Sequence, residues 1–279
     1  DHNANKIAIE YEFRNNSKVK VHLLDDNEQF VAEYAKSIGC SAMIRGIRNS
    51  VDFEAEAELS HLNETIVSNL PTFHIIPPAS MTGVSSTVVR NITGKTNWHN
   101  IIKNMLPPEI YKHYVFAQLQ KHTPLDMYEY FLKIKDNGYH NIEHSLRIFN
   151  QCKNIIDLRD LAEACVIHDA IDVNGIPDDT EITVNAQRMI SNTWYCDLSY
   201  TSKKRTESRE FTDADLSILW SDRDEYNQYS VNVAQEYMHI ERSKYVDGRR
   251  KFLESVKRLC NNNMFYTPDR SIEHKVIDN

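Results

Sequence analysis

The strongest constraint on this chain is a change of periodicity part-way along it. From about residue 18 to 92, short apolar runs with the two-residue repeat of strands alternate with runs of helical period. KVKVHLL (18–24), SAMIRG (41–46) and PTFHIIPP (71–78) read as strands. NEQFVAEYAKSIG reads as a helix that Gly39 closes, and DFEAEAELSHLNETIVS as a second helix with Leu59, Leu62 and Ile66 on one stripe. Strands separated by helices imply a parallel sheet, because a parallel connection needs a crossover and the helix supplies it. After Trp98 the pattern turns helical, with Pro108 suited to a first helical turn. From about 123 onward it contains no strand. Helices are expected over 124–135, 142–158, 159–171, 180–193, 213–219, 224–238 and 244–260. An α/β domain at 1–120 is therefore followed by an all-α domain at 121–279, with the boundary at 118–124. A length of 279 residues agrees with two cores.

Charge narrows the partners. The formal net charge is −8, which repels phosphate polymers and argues against a nucleic-acid partner. Residues 1–120 hold 11 basic and 13 acidic groups, and the remainder 21 and 27, so neither half is a polyanion binder. A small phosphorylated ligand remains compatible, since local basic groups can outweigh a mild global field. No apolar run approaches the roughly 18 residues of a membrane span, so no membrane partner is expected. Five cysteines, none in C-x-x-C spacing, read as reduced thiols of a cytoplasmic protein.

In the helical half, several polar groups interrupt apolar stretches. YHNIEH places His140 and His144 four apart, AEACVIHDAIDV sets His168 beside Asp169, and FTDADLSILW carries Asp213 and Asp215. A charged Asp within an apolar helix is costly unless paired or metal-bound. Read in order, His144, His168–Asp169 and Asp215 give His…His-Asp…Asp with gaps of 24 and 46 residues. Such gaps suit ligands gathered by a helical bundle rather than a local finger. Two imidazoles and two carboxylates fit one divalent ion, with Mn, Mg, Fe, Co, Ni and Zn not distinguished. Such an ion lowers the pKa of bound water and neutralises phosphoryl charge.

In the first half, Arg45 and Arg48 flank a glycine at the end of a predicted strand, where ligands of parallel α/β sheets sit and where arginines grip phosphate in a bidentate manner. MTGVSSTVVRNI puts Ser85, Ser86 and Thr87 at a helix start, which suits either an anion or plain capping. Gly94-Lys95-Thr96 is not a P-loop, because position 89 is Val where the motif needs Gly.

Two family resemblances follow. The ordered ligand set, together with YHNIEH, FTDADLSILW, EYMHIERSKYVDGRRKFLESV and NNNMFYT, resembles the HD-domain metal-dependent phosphohydrolases over roughly 124–270. That resemblance implies a single divalent ion on His144, His168, Asp169 and Asp215, with His140 second to the metal or facing substrate. Asp172 and Glu181 read either as groups that position the attacking water or as surface carboxylates, and Arg147 and Lys203–Arg205 either as holders of substrate phosphates or as solvated basic groups. Relatives often carry histidines where this chain reads NTWYCDLSY, so one ion rather than two is expected.

RGIRNSVDFEAE, the serine-rich helix start and LPPEIYKHY are similar to phosphopantetheine adenylyltransferases over about residues 1–115. The resemblance implies a Rossmann-like nucleotidyltransferase fold. It implies an ATP/Mg pocket at Arg45, Gly46, Ile47, Arg48, Glu56, Met81, Thr82, Gly83, Val84, Ser85, Ser86 and Thr87, with Val31 near a pantetheine arm and Arg45 also touching substrate. A homo-oligomer, hexameric by the resemblance, would assemble through this half. The family's T/H-x-G-H motif is expected upstream of residue 1, so the chain as given supports hydrolysis of a nucleotide or related phosphoester. Adenylyl transfer becomes the alternative if that upstream segment exists. A non-catalytic nucleotide sensor is the third reading.

Overall fold

In the computed structural model, residues 2–24, 30–95, 97–170, 181–191, 193 and 206–261 are described. They form two compact units that divide between His113 and Tyr114. The division falls inside a helix, a few residues ahead of the expected 118–124.

The first unit holds helices α1 (His2–Glu12), α2 (Val31–Ser37), α3 (Ser50–Ile66), α4 (Ser86–Ile92) and α5 (Trp98–Lys103). Among its described residues are two strands, β1 (Met43–Gly46) and β2 (Thr72–Ile75). They pair in parallel, Met43 opposite Thr72 and Gly46 opposite Ile75, with α3 as the crossover. Gly39 ends α2 at φ 82°, the left-handed conformation that a C-terminal glycine adopts without a Cβ clash. Asn49 starts α3, its side chain accepting from the Asp52 N–H at 2.9 Å.

One expectation needs correction here. Residues 18–24 form no strand, although their alternation is clear, because a strand exists only with a partner and none of the described residues pairs with them. On α3, Leu59 is 37% and Leu62 50% exposed, while Ile66 is half-buried.

Helix α6 (Pro108–Gln120) opens on the proline expected at a first turn. The second unit then runs through α7 (Tyr128–Ile134), α8 (Ile142–Gln151), α9 (Leu158–Ile167), α10 (Val184–Ser191), α11 (Thr206–Leu216) with a following 3-10 turn, α12 (Arg223–Glu236) and α13 (Arg242–Asn261). It is all-helical among the described residues. Helix α9 is central: Leu161 to Ile167 are all buried, packed with Ile148, Met189, Ile190 and Phe211 from α8, α10 and α11. One buried carboxylate, Glu163, is satisfied three ways, by Thr123 Oγ1, Arg159 Nε and the Thr183 N–H, each at 2.9 Å. It ties the chain before α7 and the chain before α10 to α9. A second apolar cluster joins Leu216, Leu219, Tyr229, Val233 and Val256, fixing α12 and α13 against the end of α11.

Candidate metal centre and nucleotide site

Three helix ends of the second unit meet at one point. Asn141 caps α8, accepting from the N–H groups of Glu143 and His144 at 2.9 and 3.3 Å, which sets His144 in the first turn facing inward. His168 follows the last residue of α9 and Asp169 comes next, at the helix C-terminus, where the dipole favours a cation. Asp215 lies in the last turn of α11 rather than at a helix mouth, because that helix begins at Thr206, earlier than the periodicity suggested.

The donor atoms converge. His144 Nε2 and His168 Nε2 are 3.4 Å apart. Asp169 Oδ2 lies 3.1 Å from His168 Nε2 and 3.4 Å from His144 Nε2. Asp215 Oδ1 lies 3.0 Å from His144 Nε2 and 3.7 Å from His168 Nε2. Donors bound to one ion at about 2.1 Å stand about 3.0–3.4 Å from their neighbours, so the spacings among His144, His168 and Asp169 and that from Asp215 to His144 fit a shared cation, while the 3.7 Å from Asp215 to His168 is wider. Asp169 Oδ2 supplies an independent test: it is buried and accepts no hydrogen bond, a costly state for a carboxylate oxygen that a cation would relieve. The mixed nitrogen and oxygen set suits a divalent ion of borderline character.

The surroundings tune these groups. Burial raises Asp215, but hydrogen bonds from His144 and His168 outweigh it and hold the carboxyl well below its ordinary range. Burial lowers His168, yet the charges of Asp169 and Asp215 outweigh it and push the ring up to about 9. Burial prevails at His144, whose pKa is lowered. His168 Nδ1 donates to the carbonyls of Ala164 and Cys165 at 3.1 and 3.0 Å, sharing the Ala164 carbonyl with the His168 backbone N–H and aiming Nε2 at the cluster.

The remaining expected residues fall in different places. His140 is not in the cluster but stands beside it, its ring 5.7 Å from that of His144. Glu236 of α12 fixes it, accepting from His140 Nδ1 at 2.7 Å and from the N–H groups of Tyr139 and His140 at 2.6 and 2.7 Å. Sequence reasoning missed Glu236, and its separation of 96 residues from His140 left no local signal. Gly138 allows this approach: a Cβ there would lie 2.6 Å from the Asn232 carbonyl oxygen of α12. Arg147, half-buried, donates through Nη2 to His144 Nδ1 at 2.9 Å and to Tyr139 Oη. Glu181 is exposed ahead of α10 and is not among the groups gathered round the two histidines. Asp172, Lys203–Arg205 and nearly all of NTWYCDLSY lie outside the described residues.

In the first unit, the end of β1 and the 81–87 turn come together. Arg45 makes a bidentate pair with Glu56, both contacts 2.7 Å, which raises the arginine and lowers the carboxyl. Arg48 Nε donates to Asp52 at 2.9 Å while its Nη1 donates to the Val84 carbonyl at 3.1 Å, linking the two segments. The Ile47 N–H continues the sheet onto the Ile75 carbonyl at 2.9 Å. Ser85 caps α4, accepting from the Val88 N–H at 3.1 Å, so its hydroxyl is used in capping. Met81, Thr82, Gly83, Ser86 and Thr87 are exposed around it, as is Val31 at the start of α2. Gly46, the last residue of β1, has open space where a side chain would stand.

Fold and sites thus define a chain with a small parallel α/β unit carrying arginines at a strand end, and a helical unit carrying a buried His/Asp cluster. No family model matches it. Curated relatives do. A phosphopantetheine adenylyltransferase of Chromobacterium violaceum is 32% identical over 96 residues, which is 34% of this chain and 57% of that protein. Its namesake from Finegoldia magna is 36% identical over 84 residues, 30% of this chain and 50% of the relative. That of Neisseria meningitidis serogroup C is 30% identical over 84 residues, 30% and 49% of the two chains. The chain therefore spans about half the length of the curated relatives it matches. These relatives support a nucleotidyltransferase-like domain on about a third of the chain. No described helix is long and apolar enough to cross a membrane.

Proposed function

We propose that the helical unit is a divalent-metal phosphohydrolase of the HD type, acting on a nucleotide or related small phosphoester, joined to a nucleotide-binding unit of adenylyltransferase type. The observation that carries the first part is the convergence of His144, His168, Asp169 and Asp215, with a buried Asp169 oxygen left without a hydrogen bond. A divalent ion held there would acidify water and offset phosphoryl charge. The chain's own groups do the rest. His168 and His144 supply Nε2 atoms, and the carboxylates balance the charge. His140, braced by Glu236 through Nδ1, keeps Nε2 for the substrate at the rim of the same centre. Screening nucleotides and phosphoesters with Mn²⁺ tests this directly. Wild type should release phosphate or a phosphomonoester from at least one, and His168→Ala should lose that activity together with Mn²⁺ binding. Mn²⁺-independent activity, or activity retained in the variant, overturns it.

The relatives carry a second reading, adenylyl transfer from ATP to 4′-phosphopantetheine by the full protein. The RGIRNSVDFEAE match and the Arg48–Val84 link between β1 and the 81–87 turn support ATP at that strand end. ATP/Mg should bind the chain, and Arg48→Ala should weaken it roughly tenfold or more, the scale of one charge-assisted contact. Equal ATP affinity in the two proteins would remove this reading. Dephospho-CoA formation, measured with ATP and 4′-phosphopantetheine, reports the reaction itself.

A further inference from the structure

Arg249 of α13 is a cation without an anion. Two residues further along the helix, Lys251 pairs with Asp247 at 2.9 Å. Among the described residues no carboxylate stands within ion-pair distance of Arg249. It is half-buried all the same, its guanidinium carbon 4.9 Å from the rings of both Tyr229 and Phe252, and its Nη2 donates to Tyr229 Oη at 2.6 Å. Ring faces attract a cation but accept no strong hydrogen bond, so most of its five N–H groups keep their valence. Half-burying a charge with its donors unused is costly unless a ligand brings the acceptors. The place is next to the metal centre. The Tyr229 ring stands edge-on to that of Tyr139 at 4.4 Å, and Tyr139 lies 4.8 Å from the ring of His144. Burial raises the Tyr237 hydroxyl, the charges of Glu236 and Asp169 add to this, and Arg249 opposes them. Tyr237 is 40% exposed, so a solvent-facing side chain lies within the field of both the centre and the arginine.

We infer that Arg249 anchors a second phosphate of the substrate, so that the helical unit acts on phosphoesters carrying two separated anionic groups. This rests on the metal-centre reading above. The rings of Tyr139 and Tyr229 stand between His144 and Arg249, so a phosphate at the ion does not reach the arginine. A ligand with one phosphate therefore uses the centre alone. A ligand with a second phosphate set apart from the first gains charge-assisted hydrogen bonds from the planar guanidinium fork, whose geometry matches phosphate oxygens. The fork is in place before the ligand arrives. Tyr229 is buried and its hydroxyl and ring, with the ring of Phe252, fix the guanidinium, so little side-chain freedom is lost on binding.

Alkane bisphosphonates of increasing length, whose carbon–phosphorus bonds resist hydrolysis, give the test, with methylphosphonate as the single-anion probe. Calorimetry on the Mn²⁺-loaded full chain should show at least one bisphosphonate binding roughly tenfold or more tightly than methylphosphonate, the scale of one charge-assisted hydrogen bond. In Arg249→Met that advantage should disappear while methylphosphonate binds as before. Arg249→Lys keeps a charge on a similar stem without the planar fork, and should lose most of the advantage as well. Mn²⁺ affinity, measured alone, should be the same in all three proteins. Bisphosphonates that bind wild type no better than methylphosphonate, or an advantage that survives Arg249→Met, overturn the inference while leaving the metal centre intact. A fall in Mn²⁺ affinity in both variants would show that Arg249 only holds the fold, which overturns it too. Wild type that binds no Mn²⁺ overturns the metal centre and this inference together.

Discussion

At the scale of residues, the four converging donors make sharp demands. Asp169→Ala and Asp215→Ala should each weaken Mn²⁺ binding by more than roughly 100-fold, because each removes both a ligand and the charge that offsets the ion. Calorimetry on the full chain checks this, and micromolar binding retained in either variant would count against a shared site. The His140–Glu236 pair predicts a pH signature. Burial lowers His140, but Asp169 and Glu236 outweigh it and raise the ring above its ordinary 6.5. Its contribution to stability is complete below that value and is lost as pH rises through the higher folded one. Burial raises Glu236, but His140 outweighs it and holds the carboxyl below its ordinary 4.5, so its contribution is present above that value and is lost in acid. Glu236→Gln should therefore cost most melting temperature at about pH 5.5 and distinctly less at about pH 9. An equal loss at both would show that the pair acts without charge.

Elements carry the next level. The turn before α8 is shaped by two residues with separate jobs. Gly138 admits the α12 backbone, and Gly138→Ala should cost about 1–3 kcal/mol by forcing the Asn232 carbonyl away. Asn141 caps α8 and also donates to the carbonyls of Asn137 and Gly138 at 3.2 Å, so Asn141→Ala should cost about 1 kcal/mol or somewhat more. Denaturant melts measure both. A neutral Gly138→Ala would mean that the turn can shift away from α12, which the three hydrogen bonds to Glu236 argue against. Helices were the legible part of this chain. α3, α12 and α13 lie close to their periodic runs, and α8 starts where expected but ends at Gln151 rather than 158; helix hydrogen bonds are local, and caps such as Asn49, Asn141 and Asp222 stand in the sequence beside their helices. Strands were less so. KVKVHLL alternates as well as any strand, yet pairing depends on a partner that alternation does not name.

The whole molecule divides into two units, and its ligands should respect the division. Thermal scans of the full chain should show Mn²⁺ raising the transition of the helical unit, by about 2.7 kcal/mol of stability at a hundredfold excess over its dissociation constant. ATP/Mg should raise that of the α/β unit and leave the other in place. A single transition shifted alike by both ligands would contradict separate sites.

By itself, the sequence determined the helical second half, the parallel character of the first, and the identity of His144, His168, Asp169 and Asp215 as groups out of place in apolar helices. Those properties follow from local periodicity and from the cost of burying charge, which each short stretch carries within it. Only the tertiary structure decided that the four donors share one point within 3.0–3.7 Å contacts, that Glu236 reaches back 96 residues to hold His140, and that Arg147 leans on His144. Distances between segments remote in sequence are set by how the helices pack, and no single segment encodes the packing.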